Sequence, residues 1–149
     1  MDKDIEILRR RLTDGGYTCV IHSDGDEFIS FERGVKPLMS FLDSGRSFRG
    51  AVAADKTVGA GAAHLYVLLG IKALWANVIS DAALLVLITA GITVEYGERV
   101  PYITNRKGDG MCPIESAVAG IDSSDAAYKR IIDTLAQLNQ KQKKNTEPH

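Results

Sequence analysis

Between residues 51 and 96 the chain alternates short apolar segments with longer helical ones, and this alternation constrains the fold more than any other feature. It predicts a strand, a helix, a strand, a helix and a strand, at residues 51–54, 58–69, 74–79, 81–90 and 93–96. Strands separated by helices of this length usually pair in parallel through crossover connections. The expected product is an open α/β sheet with helices packed on its faces.

The N-terminal third predicts a helix, a β-hairpin and a second helix. Residues 5–12 carry apolar side chains at helical spacing. The turn-forming sequence Ser23-Asp24-Gly25-Asp26 separates two segments rich in aromatic and β-branched residues, 17–22 and 28–31, a pattern typical of a hairpin. A short helix is expected over residues 35–42. Pro37 is compatible with it, because Pro is tolerated in the first turn of a helix.

The C-terminal part predicts one more helix and a tail. Ser123 or Ser124 can cap this helix, and its apolar stripe continues to about Leu138. Residues 140–149 are polar and without periodicity, so we expect a disordered tail there. Residues 1–139 then form a single domain, since the chain's 149 residues are enough for one ordinary core.

Composition excludes several classes of protein. Eighteen Lys and Arg residues are balanced by 19 Asp and Glu, which argues against generic binding to nucleic acid, where many phosphates must be neutralised. The longest apolar run, residues 82–90, is about half the length that crosses a bilayer. Nothing at the N-terminus resembles a signal peptide, so we expect a cytoplasmic protein whose two thiols, Cys19 and Cys112, stay reduced.

The first candidate site lies where the strand at residues 51–54 leads into the next helix. Two glycines, Gly59 and Gly61, fall in the predicted first turns of that helix, where each costs about 1 kcal/mol relative to Ala. Either a ligand approaches the backbone there or helix and sheet pack closely. Free amides at the helix start, with Asp55, Lys56 and Thr57 beside them, favour an anion such as phosphate or carboxylate. In the alternative, Asp55 caps the helix and Lys56 is solvated.

The second candidate site is the irregular stretch of residues 101–115. Asn105, Arg106 and Lys107 could hold an anionic group, and two glycines let the backbone fold around it. Cys112 could act as a nucleophile if the nearby cations favour its thiolate, although a lone Cys beside Pro is more often an inert, partly buried side chain. Glu115 is interpreted as a helix-start carboxylate, with an acid or base role as the alternative.

The histidines do not form a recognisable metal motif. His22 ends a strand, His64 lies in a helix and His149 is in the tail, so no HxxxH or HxE pair exists. Cys19 and His22 are predicted to point to opposite faces of one strand. We therefore expect no metal and no other cofactor.

Three segments together resemble a prokaryotic family, a domain of unknown function with the cytidine-deaminase-like fold. They are residues 50–61, residues 79–92 and the block from Val100-Pro101-Tyr102 to Cys112-Pro113-Ile114-Glu115. The resemblance implies a three-layer α-β-α fold with a mixed sheet, an N-terminal hairpin and helices on both faces. It also implies that the N-termini of two helices face one cleft.

The same resemblance argues against zinc chemistry. True deaminases open the first of these helices with His-x-Glu and the second with Pro-Cys-x-x-Cys, which supply the zinc ligands and a proton-shuttling Glu. Here the corresponding sequences begin with Asp55-Lys56-Thr57 and Ser80-Asp81. We expect no zinc-dependent deamination.

The leading hypothesis is a zinc-free protein that binds a nucleotide-like or other anionic small molecule, with the ADP-ribose class as one option. Its expected site residues are Asp55, Lys56, Thr57, Gly59, Gly61, Ser80, Asp81, Asn105 and Arg106. One alternative is a non-metal enzyme that uses Lys56 or Cys112 on a nucleotide-related substrate. The other is a small scaffold protein without a ligand. A homo-oligomer is compatible with all three, and no membrane partner is expected.

Overall fold

The computed structural model describes the backbone of residues 3–146 and the side chains of residues 3–140. Five strands and six helices follow one another along this part of the chain. They are α1 (Lys3–Gly15), β1 (Cys19–Ser23), β2 (Asp26–Ser30), α2 (Lys36–Asp43), β3 (Val52–Val58), α3 (Ala60–Leu69), β4 (Ala73–Ser80), α4 (Asp81–Thr89), β5 (Thr93–Val100), α5 (Pro113–Ala117) and α6 (Ser124–Thr146).

The five strands form one mixed sheet in the order β2-β1-β3-β4-β5. β3, β4 and β5 are parallel, and α3 and α4 make the two crossovers between them. β1 pairs antiparallel with both β2 and β3. Asp24 and Gly25 both have positive φ in the β1–β2 turn, the geometry that suits a two-residue hairpin. The predicted α/β fold with an N-terminal hairpin is confirmed.

Helices cover the two faces of the sheet unequally. On one face α1 packs alone over β1, β3 and β4, around a small core of Ile5, Leu8, Leu12, Val20, Val52, Ala54, Ala73 and Trp75. The other face carries the main core, to which α2 to α6 all contribute. There α3 is central, flanked by α2, α4 and α6. The molecule therefore has three layers, as predicted.

β3 is longer than the sequence predicted, and this corrects the first candidate site. Asp55, Lys56 and Thr57 belong to the strand, not to the start of a helix. Asp55 and Thr57 are in register with β4, and the Lys56 amide donates to the Thr18 carbonyl oxygen at 2.9 Å. The polar residues resembled a strand end, but the hydrogen bonds of both neighbouring strands hold them in the sheet.

Three other boundaries also differ from the predictions. β5 extends to Val100, beyond the predicted end at residue 96, and α5 begins inside the stretch predicted to be irregular and ends two residues after it. α6 continues through residues 140–146, which were predicted to belong to the tail, and residues 147–149 lie outside the described part. Within the described residues, none of the helices combines the length and apolar character needed to cross a bilayer.

Candidate functional site

The N-terminus of α3 is occupied by a side chain from much later in the chain. Gly59 is the N-cap residue and offers no side chain to the helix. Instead Glu115 of α5 reaches across, and its Oε2 accepts a hydrogen bond from the Ala60 amide at 2.5 Å. A carboxylate is favourable there because the first amides of a helix lack backbone partners and carry partial positive charge. Glu115 serves as the missing cap.

The second oxygen of Glu115 has no such partner. The Glu115 side chain is only 5% exposed, and its Oε1 is buried without a hydrogen bond from any described residue. Ile103 closes the same position, since its Cγ1 would lie 3.2 Å from a Cβ placed on Gly59. An acceptor buried in this way costs about 1–3 kcal/mol unless a donor reaches it. Among the described residues, Glu115 Oε1 is therefore a buried acceptor without a donor, close to the N-terminus of α3.

Gly59 is required here by contact and not by backbone conformation. A Cβ at this position would lie 2.5 Å from Glu115 Oε2, closer than non-bonded atoms approach. We expect Gly59→Ala to displace the carboxylate from the helix end and to lower the free energy of unfolding by roughly 1–3 kcal/mol. Chemical denaturation measures this. The matched control is Gly110→Ala, whose Cβ would meet its nearest atom, Asn105 Nδ2, at an ordinary 3.7 Å. An equal loss in both variants would contradict the assignment.

The N-terminus of α4 is capped by its own residues. Ser80 is fully buried, and its Oγ accepts a hydrogen bond from the Ala83 amide at 3.2 Å. The exposed Asp81 carboxylate binds Arg99 of β5, with 2.5 Å between Oδ1 and Nε. Both helix ends therefore carry acceptors of the chain itself, and both have a carboxylate beside them. The expectation of two free, anion-binding helix ends is not met by this geometry.

Asp55 forms a buried network with α3 and β1. The Tyr66 hydroxyl donates to Asp55 Oδ2 at 2.6 Å, the Thr57 amide donates to Oδ1 at 3.2 Å, and Cys19 Sγ lies 3.4 Å from the Tyr66 hydroxyl. Burial raises the pKa of Asp55 to about 7. Burial likewise raises the pKa of Tyr66 and that of the Cys19 thiol. Asp55 thus lies within the protein and is not presented to a ligand.

Of the two predicted cations, Lys56 lies on the face of the sheet opposite α3, because it alternates along β3 with Asp55, which contacts Tyr66 of α3. Lys56 and Arg106 are both exposed, and neither forms an ion pair with a described side chain. Asn105, predicted to orient a ligand, shapes its own loop, since its side chain both donates to Asp109 Oδ1 and accepts from the Asp109 amide. A bridge between Thr104 and Met111 closes this loop.

Gly61 and Cys112 have structural contacts. A Cβ on Gly61 would collide with Ile114, so this glycine allows α5 to pack on α3, as the close-packing interpretation proposed. Cys112 is partly buried against the main core, and its amide donates to the Ile103 carbonyl oxygen at 2.8 Å. Among the described residues, no three His, Cys, Asp or Glu side chains converge as metal ligands.

Comparison with known proteins identifies the family. A family model described as "TM1506: Domain of unknown function (DUF1893)" matches residues 7–135. The chain belongs to the DUF1893 family. The resemblance drawn from residues 50–61, 79–92 and 100–115 is thereby confirmed.

One solved structure agrees with this assignment at the level of the fold. A DUF1893 family protein (TM1506) from Thermotoga maritima superposes with a TM-score of 0.81 at 23% identity, covering 89% of this chain and 91% of that one. A diaminohydroxyphosphoribosylaminopyrimidine deaminase/5-amino-6-(5-phosphoribosylamino)uracil reductase from the same organism reaches only 0.45 at 16% identity, covering 77% of this chain and 41% of that one. No curated protein matches.

The roles of two residues of this DUF1893 chain, Glu115 and Tyr66, were not predicted from the sequence. Glu115 was placed at a helix start, but it caps α3 and not its own helix α5. Tyr66 was counted only as part of a predicted helix, although it satisfies Asp55. A polar Asp within an otherwise apolar strand was the available signal for Tyr66, since a buried carboxyl needs a donor. The sequence contained no comparable signal for Glu115.

Proposed function

We propose that the chain binds a nucleotide-like small molecule at the carboxyl ends of β3 and β4, with Glu115 as the acceptor that recognises it. The observation that carries the proposal is the buried, unpartnered Oε1 of Glu115 at the N-terminus of α3. Open parallel sheets commonly bind ligands outside the carboxyl ends of their strands. The Glu115 carboxylate lies at such an edge, where its Oε2 approaches Gly59, and its Oε1 lacks a donor among the described residues.

The charges at this edge support a particular orientation of the ligand. Glu115, which has no cationic partner among the described residues, places a carboxylate at the N-terminus of α3, and this carboxylate would repel an entering phosphate. We therefore propose that an uncharged end bearing an N–H group, such as the amino group of a base, donates to Glu115. The anionic end then stays outside, on the solvent side of the loop that carries the exposed Arg106. From the sequence, the anionic group itself was expected to bind at the helix start.

Access to Glu115 requires a movement of the loop over residues 101–112. Ile103 covers the position beside Gly59, and the Cys112 amide binds the Ile103 carbonyl oxygen at the base of the loop. The tip of the loop is held by Asn105 and Asp109 and is exposed. We propose that the loop lifts as a unit when the ligand enters.

A thermal-shift panel tests the proposal. Adenosine and cytidine offer amino groups, and purine riboside offers the same sugar and ring system as adenosine without the amino group. We expect the amino compounds to stabilise the wild-type protein and purine riboside to do so at least about tenfold more weakly, because one buried hydrogen bond to a charged acceptor is lost. AMP compared with adenosine, in the wild type and in Arg106→Ala, tests the outer cation, and Lys56→Ala, on the opposite face of the sheet, is the control.

The decisive variant is Glu115→Gln. It keeps the size of the side chain and can still accept from Ala60, but its amide nitrogen then faces the ligand's donor, so binding should disappear. Asp81→Asn, at the other helix end, is the control and should retain binding. If no compound of the panel stabilises the wild type, or if Glu115→Gln binds as the wild type does, the proposal is wrong.

A further inference from the structure

The loop over residues 101–112 is bonded to itself and not to the rest of the molecule. Among the described residues, the hydrogen bonds of residues 101–111 all join two positions between 103 and 112. The bridge between Thr104 and Met111 closes the loop. None of residues 101–111 belongs to the main core or to the small core under α1. Such a segment can move while the rest stays folded, because few buried contacts are lost.

Ile103 attaches this loop to the N-terminus of α3. Its Cγ1 would lie 3.2 Å from a Cβ placed on Gly59, and Glu115 Oε2 would lie 2.5 Å from the same point. The Ile103 side chain is half-buried there. Removing this apolar side chain from water favours the closed position of the loop.

Glu115 opposes the closed position. Its side chain is only 5% exposed, and its Oε1 has no hydrogen-bond donor among the described residues. When the loop lifts, water can reach this oxygen and supply the missing hydrogen bonds. The cost of one buried, unpaired carboxylate oxygen and the gain from burying one Ile side chain are of similar size. The closed and open positions of the loop therefore lie close in free energy.

We propose that the loop over residues 101–112 is a gate that opens and closes over Glu115 in the free protein, before any ligand arrives. Ile103 holds the gate closed, and the buried carboxylate of Glu115 favours its opening. A ligand then binds only the open fraction of the molecules, so its apparent dissociation constant rises as that fraction falls. The role of the gate in ligand entry rests on the proposed function, but its opening in the free protein does not.

Relaxation dispersion of the Ile103 Cδ1 methyl group, measured by NMR on the full chain without ligand, tests the gate directly. We expect exchange on the microsecond to millisecond timescale with an open state populated to about 1–10%. The control within the same spectrum is Ile131, which is 0% exposed in the main core and should give a flat profile.

Glu115→Gln tests what favours opening. The variant can still accept from the Ala60 amide, but it replaces the carboxylate with a neutral amide, which is less costly to bury without a partner. The open population should fall at least about tenfold, and Asp81→Asn should leave it unchanged. A flat profile for Ile103 in the wild type, or exchange that Glu115→Gln leaves unaltered, would overturn the inference.

Calorimetric titration with adenosine connects the gate to the proposed site. Ile103→Ala should tighten binding about tenfold, since the closed state loses its main contact. Tyr102→Ala, at a neighbouring residue that is 42% exposed, should bind as the wild type does. If adenosine binds the wild type and Ile103→Ala binds it no more tightly, the gate is wrong. If adenosine binds neither protein while the Ile103 methyl exchanges as expected, the gate stands and the proposed function is wrong.

Discussion

Asp55→Asn is expected to raise the free energy of unfolding at pH 8 by roughly 2–4 kcal/mol and to leave it nearly unchanged at pH 4. Asp55 lies inside the molecule, and burial raises its pKa from 3.8 to about 7. Between these two values the folded protein keeps a proton that the unfolded chain has already released. Stability therefore falls as the pH rises through this window, and the loss is complete above about pH 7.

Asn can replace the protonated form of Asp55 without leaving a polar group unpaired. Its oxygen accepts from the Thr57 amide, and its nitrogen donates to the Tyr66 hydroxyl, which can then donate to Cys19 Sγ at 3.4 Å. The variant cannot ionise at this position, so it should lack the loss of stability that the wild type shows as the pH rises towards 7.

Urea titrations at several pH values from 4 to 8 measure this effect. The control is Asp14→Asn, which removes an exposed carboxylate of α1 and should keep the pH dependence of the wild type. If Asp55→Asn and the wild type lose stability in parallel as the pH rises, then Asp55 does not hold a proton in the folded protein at neutral pH.

Trp75→Ala should be the most destabilising single substitution on the α1 face, at about 3–5 kcal/mol. Trp75 is the largest side chain in the small core that attaches α1 to the sheet, and that core contains few other large groups. The guanidinium of Arg9 lies 5.1 Å from the centre of the Trp75 ring and shields it from solvent. Loss of the ring leaves a cavity that the two valines and two alanines of the strands cannot fill.

The variant should also release α1 before the rest of the molecule unfolds. Amide exchange in α1 would then accelerate while that in β3 and β4 stays slow, since the main core lies on the other face of the sheet. Arg9→Ala is the control, because it removes the cation–π contact and the exposed ion pair with Glu6 but keeps the ring, and it should cost about 0.5–1 kcal/mol. A loss below about 1 kcal/mol for Trp75→Ala would show that α1 is held by other contacts.

The order of the elements was predictable from the sequence because it depends on local patterns. Hydrophobic periodicity located α3, β4 and α4, and turn chemistry located the hairpin at Asp24 and Gly25. The boundary at Asp55 was not predictable in this way. Its polar side chain suggested the end of a strand, whereas its burial depends on Tyr66 and on pairing with β4. Pairing between distant segments overrode local preference.

In the candidate site, too, local features were predictable from the sequence and contacts between distant segments were not. Gly59 and Gly61 were correctly selected as unusual, because glycine in a helical segment needs a reason. The reasons themselves, Glu115 and Ile114, come from more than fifty residues later and carry no local signal. From the sequence, Lys56 and Arg106 were expected to lie together at a free helix end. In the structure, the N-terminus of α3 already binds the Glu115 carboxylate.

The bond between Glu115 and Ala60 also has a consequence for synthesis on the ribosome. The segment from β3 to β5 emerges from the exit tunnel before α5 does, so the first turn of α3 is left uncapped for a time in the nascent chain. Translation must add the last third of the protein before that turn can be completed. Chains released early would then carry an open helix end and an uncovered main core, which are features that chaperones and proteases recognise.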